Sequence, residues 1–228
     1  MLKTFLITIN LQIFLYATNQ IVLVVNEKEN SSKAILRCFE GNKQIFKDID
    51  VNLGKYGLAW GISDISLSHD KNEPQKREGD KKAPLGIFHL TSVFGYAPTV
   101  KTKMPYIHAT KDLICVDTST HKNYNQIITM PTKKPKSFEY MRRDDAQYQL
   151  GIVVEHNKQQ QPLGGSCIFL HVQKKPDAPT AGCTSMRYED IKKIVGWLDK
   201  EKNPILIQVP KKYLDAVQKL YPELSMSP

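Results

Sequence analysis

Apolar residues along this chain gather into short runs rather than long stripes. Ile21 to Val25 is unbroken and apolar, as a buried strand would be. Ala34 to Phe39 and Gln44 to Val51 flank Gly41-Asn42, a spacing that predicts a hairpin. Leu53 to Gly61 is rich in glycine around Trp60 and predicts turns. Ser63 to Lys82 is polar and charged with no apolar period, so a long exposed loop is expected. Strand patterns return at Gly86 to Phe94, Tyr106 to Val116 and Gln126 to Met130, before a basic, proline-broken loop from Pro131 to Lys136. Tyr148 to Glu155 and Cys167 to Val172 predict two more strands, joined by a turn over Asn157 to Gly165.

Helical spacing comes late. Ile191, Ile194, Val195 and Leu198 fall at i, i+3, i+4 and i+7, one apolar stripe of a helix. Glu189 and Asp190 suit its positive end, Lys200 and Lys202 its negative end, and Asn203-Pro204 stops it. Ile205 to Val209 then predicts a strand, and Lys212 to Tyr221 a second helix. Strands first and helices last favour a mainly β (α+β) fold over βαβ repeats.

The first residues change the picture of the compartment. Lys3 precedes an apolar run from Phe5 to Tyr16, interrupted by Asn10 and Gln12 and followed by Ala17. That is the layout of a secretory signal, and the run is shorter than the ~20 apolar residues of a membrane span. We therefore expect residues 1–19 to be a signal, residues 20–228 to form one catalytic-size domain, and the protein to be exported to the periplasm or cell envelope. The formal charge of +9 favours a polyanionic partner. The four cysteines include no CxxC pair, which argues against a zinc cluster. No basic-aromatic motif supports nucleic acid.

Candidate chemistry lies in one stretch. A strand ends in Phe169-Leu170-His171, and a polar loop returns the chain to Thr180-Ala181-Gly182-Cys183 just before the amphipathic helix. Gly182 permits close backbone approach. A thiol near a helix N-terminus is expected to have a lowered pKa. A neighbouring imidazole can take its proton, and the amides of Gly182 and Cys183 can face a developing oxyanion. On spacing alone, a buried cysteine and an ordinary loop histidine are the commoner explanation of these residues.

The stretch Gly165-Ser166-Cys167-Ile168-Phe169-Leu170-His171, followed by Pro179-Thr180-Ala181-Gly182-Cys183, resembles the signature of the L,D-transpeptidase (YkuD-type) family. Lys76-Arg77-Glu78-Gly79-Asp80 with Ala83-Pro84-Leu85-Gly86-Ile87-Phe88, and then Phe94-Gly95-Tyr96, Val116-Asp117, Tyr124-Asn125 and Tyr148 to Asn157, extend the likeness from Ile21 to Val209. It implies a β-sandwich or barrel with a helix after the catalytic cysteine and a C-terminal helix. It implies Cys183 as nucleophile, His171 as general base and acid, and Gly182 with Cys183 as oxyanion donors. It implies peptidoglycan stem peptides as substrate, attacked at the diamino acid–D-Ala bond. An amine acceptor gives a 3-3 crosslink, and water makes the enzyme an L,D-carboxypeptidase. No cofactor or metal is called for. Ala181, Ser185 and Val172 depart from residues common in the family. Ser185 stands where an arginine is common, so Arg77 or Arg187 is a substitute carboxylate clamp.

Other residues stay open. Asp117 and Tyr124, with Asn125, either face substrate or tie down a turn, and Thr180 is a further candidate for substrate binding. Alternation puts Cys167, Phe169 and His171 on one strand face, so Cys167 lies near the site or simply packs. Cys38 and Cys115 can pair in an oxidising compartment, which spacing does not decide. His69, His89, His108, His121 and His156 lack a ligand pattern. A non-catalytic wall-binding module of the same fold is the rival class, disfavoured by the presence of both His171 and Cys183. Oligomeric state is not legible.

Overall fold

The computed structural model describes residues 19–224, so all but the last residue of the expected signal lies outside the described residues. Strand outweighs helix, 36% to 13%, as the short apolar runs predict. β1 (Gln20–Asn26) pairs antiparallel with β2 (Lys33–Glu40). β2 pairs in turn with β3 (Lys43–Gln44) and β4 (Ile49–Asn52). β5 (Leu58–Trp60) lies parallel to the start of the long β6 (Ala83–Gly95), and β7 (Tyr106–His108) parallel to its far end. β8 (Leu113–Val116), β9 (Ile127–Thr129) and β10 (Phe138–Tyr140) form a separate small sheet in the order β10-β8-β9. β11 (Leu150–Val154), β12 (Phe169–Val172) and β13 (Thr184–Met186) rejoin the large sheet. Helix α1 (Tyr188–Trp197), β14 (Ile205–Pro210) and helix α2 (Leu214–Leu220) follow.

The large sheet runs β1-β14-β6-β11-β12-β13-β4-β2, and the pairing of β1 with β2 closes it on itself. The closure is uneven. β1 meets β14 over six residue pairs, whereas β13 meets β4 at Ser185↔Asn52 alone.

Alternation along the strands decides what faces the core. On β11, Leu150, Ile152 and Val154 enter the main apolar cluster, as do Leu170 and Val172 on β12. The intervening residues turn the other way. Val153, Phe169 and Phe94 of β6 join a second cluster with Ala109, Cys115, Met141, Tyr148, Cys167 and Cys183. The small sheet contributes to this second cluster through Cys115. Helix α1 buries Ile191, Ile194 and Val195 in the main cluster, and Leu198 just past its end completes the predicted stripe. Each such burial contributes about 1.5–3 kcal/mol.

Several boundaries differ from the sequence reading. The expected strand over Gln44 to Val51 breaks into β3 and β4, because Asp48 turns aside to take a two-pronged bond from Arg37. The run from Tyr106 to Val116 splits at Ala109–Asp112, since β7 belongs to the large sheet and β8 to the small one. Helix α1 ends at Trp197. Asp199 then caps a separate 3-10 turn, Lys200–Lys202, which Asn203 terminates in the left-handed conformation. The strand containing His171 starts at Phe169, because Cys167 has φ 55° and cannot continue a ladder. β5, β10 and β13, at three or fewer residue pairs each, had no sequence signal of their own.

Two glycines test the packing in opposite directions. A Cβ on Gly151, which stands opposite both Phe94 and His171, would lie 2.2 Å from the Phe94 ring. Gly151→Ala should cost about 1–3 kcal/mol. Gly196 on exposed α1 has open space, so Gly196→Ala should stabilise by about 0.5–1 kcal/mol. Urea unfolding of both variants checks the pair; equal changes in midpoint would contradict the packing described.

Candidate active site

The pairing register brings the two chemical residues to one face. β12 and β13 run parallel with His171 opposite Ser185 and Leu170 opposite Thr184. Cys183 immediately precedes β13 and so stands beside Phe169, whose N–H meets its Sγ at 3.4 Å. Paired residues of neighbouring strands share a face, so Cys183 and His171 both project from the barrel wall, away from the main core.

His171 is 4% exposed. Its Nδ1 lies 2.8 Å from the Val172 carbonyl oxygen. A carbonyl only accepts, so Nδ1 carries the proton and Nε2 is left as the acceptor. Because the bond uses backbone, the Val172 side chain is free to enter the main core. Burial lowers the His171 pKa to about 4. The Tyr148 ring packs edge-on at 5.3 Å between centroids, and Arg143 lies over that ring.

Cys183 is 9% exposed. The sequence reading expected a thiol acidified by the helix N-terminus. The structure corrects this: β13 and Arg187 separate Cys183 from α1. Burial, reinforced by the Glu139 carboxylate, instead pushes the thiol up to about 12, against smaller opposing effects of the Phe169 N–H and Lys76. The resting pair is therefore a neutral thiol and a neutral imidazole.

Thr180 shapes the turn before the cysteine. Its hydroxyl donates to Cys183 O at 2.6 Å and accepts from Gly182 N–H at 3.1 Å. In this arrangement the Gly182 N–H is occupied by the Thr180 hydroxyl, and that hydroxyl ties the turn. Among the described residues no backbone carbonyl takes the Cys183 N–H. Gly182 remains necessary for space, since a Cβ there would press on Lys82 O at 3.2 Å.

The remaining candidates divide. Tyr124 is buried, donates to the Glu78 carboxylate and accepts from Gly165 N–H at 3.1 Å; with Asn125, which takes Cys167 N–H at 2.8 Å, it anchors the approach to β12. Tyr124 is thus a framework residue. Arg77 is exposed, and Arg187 is paired to Asp190 at 2.7 Å. Asp117 is half-buried, with Oδ1 unpartnered, and it acts on Glu139. The Cys38–Cys115 pairing that spacing left open does not form: Cys115 bonds Cys167, while Cys38 stays free in the main core. Cys38 lies in the main apolar cluster and Cys115 in the second.

Sequence reasoning missed Glu139, Lys76 and the role of Tyr148. Tyr148 donates to the Glu139 carboxylate, whose pKa burial raises. Lys76 is 5% exposed and holds Asp80 at 2.6 Å. Nothing in their spacing signalled these contacts. Asp64, His89 and Glu155 also come within 4.8 Å of one another, with Lys158 on Glu155 at 3.2 Å.

With this geometry in place, the L,D-transpeptidase catalytic domain family (YkuD) matches residues 20–207, and the chain belongs to that family. It is an enzyme of the L,D-transpeptidase type, a class that acts on peptidoglycan. No curated protein and no solved structure matches the chain. No helix among the described residues is long and apolar enough to cross a membrane.

The buried histidines set a pH dependence. His171 and His156 both have folded pKa values near 4, below the ordinary 6.5. The unfolded chain therefore takes up protons first as pH falls. Stability should drop between pH 6.5 and 4 by a few kcal/mol, since each tenfold difference in proton affinity is worth about 1.4 kcal/mol. Urea unfolding at pH 7 and 4.5 measures this, and His171→Gln should lose less over that interval; an unchanged difference would contradict neutral burial.

Proposed function

We propose that the protein is an exported cysteine acyltransferase, with Cys183 as nucleophile and His171 as general base and acid. The observation that carries this reading is the Nδ1 bond of His171 to Val172 O, which leaves Nε2 free to take a proton on the face that bears Cys183. The thiol is protonated at rest, so its ionisation accompanies attack. Nε2 takes the proton as sulfur adds to the carbonyl of the diamino acid–D-Ala bond. The Cys183 N–H is the nearest donor for the oxyanion. D-Ala leaves with the proton from His171, and a thioester remains on Cys183. An amine from a second stem resolves it as a 3-3 crosslink.

Export is supported by the N-terminal pattern and by the Cys115–Cys167 disulfide, a bond suited to an oxidising compartment. The positive charge suits an anionic wall. Asp117, with its unpartnered Oδ1, is the acidic residue best suited to a cationic group of the stem.

A second reading, L,D-carboxypeptidase, is favoured by the enclosure of the pair, which admits water more readily than a second stem. Incubation with a disaccharide-tetrapeptide separates the two by mass: dimers mark transpeptidation, and loss of D-Ala alone marks hydrolysis. Cys183→Ala should abolish either product, and His171→Gln should lower the rate by at least about 100-fold. Equal turnover by wild type and Cys183→Ala would overturn the assignment, leaving a wall-binding module of this fold.

A further inference from the structure

Three of the four cysteines share the second apolar cluster. Cys115 and Cys167 form the disulfide that ties β8 of the small sheet to the segment entering β12. Cys183 carries a free thiol against that same segment. Its Sγ lies 3.4 Å from the Cys167 carbonyl oxygen and 3.4 Å from the Phe169 amide. Cys38 is remote from this group, in the main core.

We propose that Cys167 is an alternative disulfide partner of Cys183, so that the chain holds an internal thiol–disulfide exchange beside its catalytic pair. The Cys183 sulfur, deprotonated, attacks Sγ of Cys167. The Cys167–Cys115 bond breaks, and Cys115 leaves as a thiolate that takes up the proton. One disulfide and one thiol stand on each side of this exchange, so no outside oxidant or reductant is needed. The swapped form has two consequences. Cys183 is capped, and β8 loses its covalent tie to the barrel.

Folded packing sets the direction at rest. It holds Cys115 and Cys167 with their Cα atoms 6.0 Å apart, as a disulfide requires, and encloses Cys183 as a free thiol beside them. Burial of Cys183 as a neutral thiol slows the exchange, so it accelerates as the thiol ionises. The exchange itself does not require that Cys183 be the nucleophile; only the silencing of turnover rests on that reading.

The test maps disulfides in the full chain without substrate. Wild type is incubated at pH 7 and pH 9 with N-ethylmaleimide present, then digested without reduction. The expected result is labelled Cys115 together with a Cys167–Cys183 linked peptide, increasing at least about fivefold at the higher pH. Cys115→Ser, held in a glutathione buffer, should carry the Cys167–Cys183 bond as its main product. Its turnover should rise at least about tenfold on adding a reductant. If Cys115→Ser does not fold, the wild-type map still decides. Wild type whose Cys115 stays unlabelled while Cys183 alone is alkylated would overturn the proposal. So would Cys115→Ser with Cys167 and Cys183 both free or glutathione-capped. A linked peptide found in a protein that shows no turnover even after full reduction would sink the enzymatic assignment of Cys183 and leave the exchange intact.

Discussion

The site depends on the two-sidedness of β12. Leu170 and Val172 must enter the barrel core, and a strand alternates its side chains, so Phe169 and His171 must point outward. A slip of one residue would bury His171 in the main core and expose two large apolar groups. The packing of Leu170 and Val172 therefore fixes the direction of the imidazole. The parallel register with β13 then fixes Cys183 on the same side. The placement of His171 and Cys183 follows from ordinary core packing, two residues at a time.

Burial of the pair has a cost and a use. Removing an imidazole and a thiol from water favours their neutral forms, hence the opposite displacements of His171 and Cys183. Glu139 sharpens this, because a carboxylate beside the sulfur opposes a second negative charge, while the Tyr148 hydroxyl works the other way. A neutral thiol is a poor metal ligand and reacts slowly with stray electrophiles. The Val172 carbonyl meanwhile holds the imidazole in the tautomer that accepts a proton. Reactivity is thus conditional on a ligand entering the enclosure and replacing water.

Much of the barrel was legible because its strands are apolar runs with one buried face. β1, β2, β6, β11 and β14 follow directly from their composition, and α1 from the stripe at Ile191, Ile194, Val195 and Leu198. His171 and Cys183 stood out through the resemblance of their flanking residues; spacing by itself left them ambiguous. What was not legible depends on distant contacts. The Cys115–Cys167 bond joins the small sheet to the approach to β12, and only the three-dimensional course of the chain shows that Cys38 lies in another layer. Thr180 looked like a substrate contact because it neighbours the cysteine, yet its hydroxyl completes the turn. Cys167 looked like a strand residue, but its positive φ places it before the ladder.

Between β13 and β4 the barrel wall is joined by the single strand pair Ser185↔Asn52, with the Asn52 amide bonded to Gln173 at 3.1 Å and the Gly54↔Thr180 bridge beside it. Cooperative structure opens first where the fewest hydrogen bonds must break together. The barrel therefore has a zipper end, and that end lies two residues from Cys183. The part of the wall that carries the thiol is thus also the part with the fewest strand pairs. A rigid far side and a yielding near side allow one barrel to keep its fold while the face bearing the chemistry adjusts to a bulky polymer.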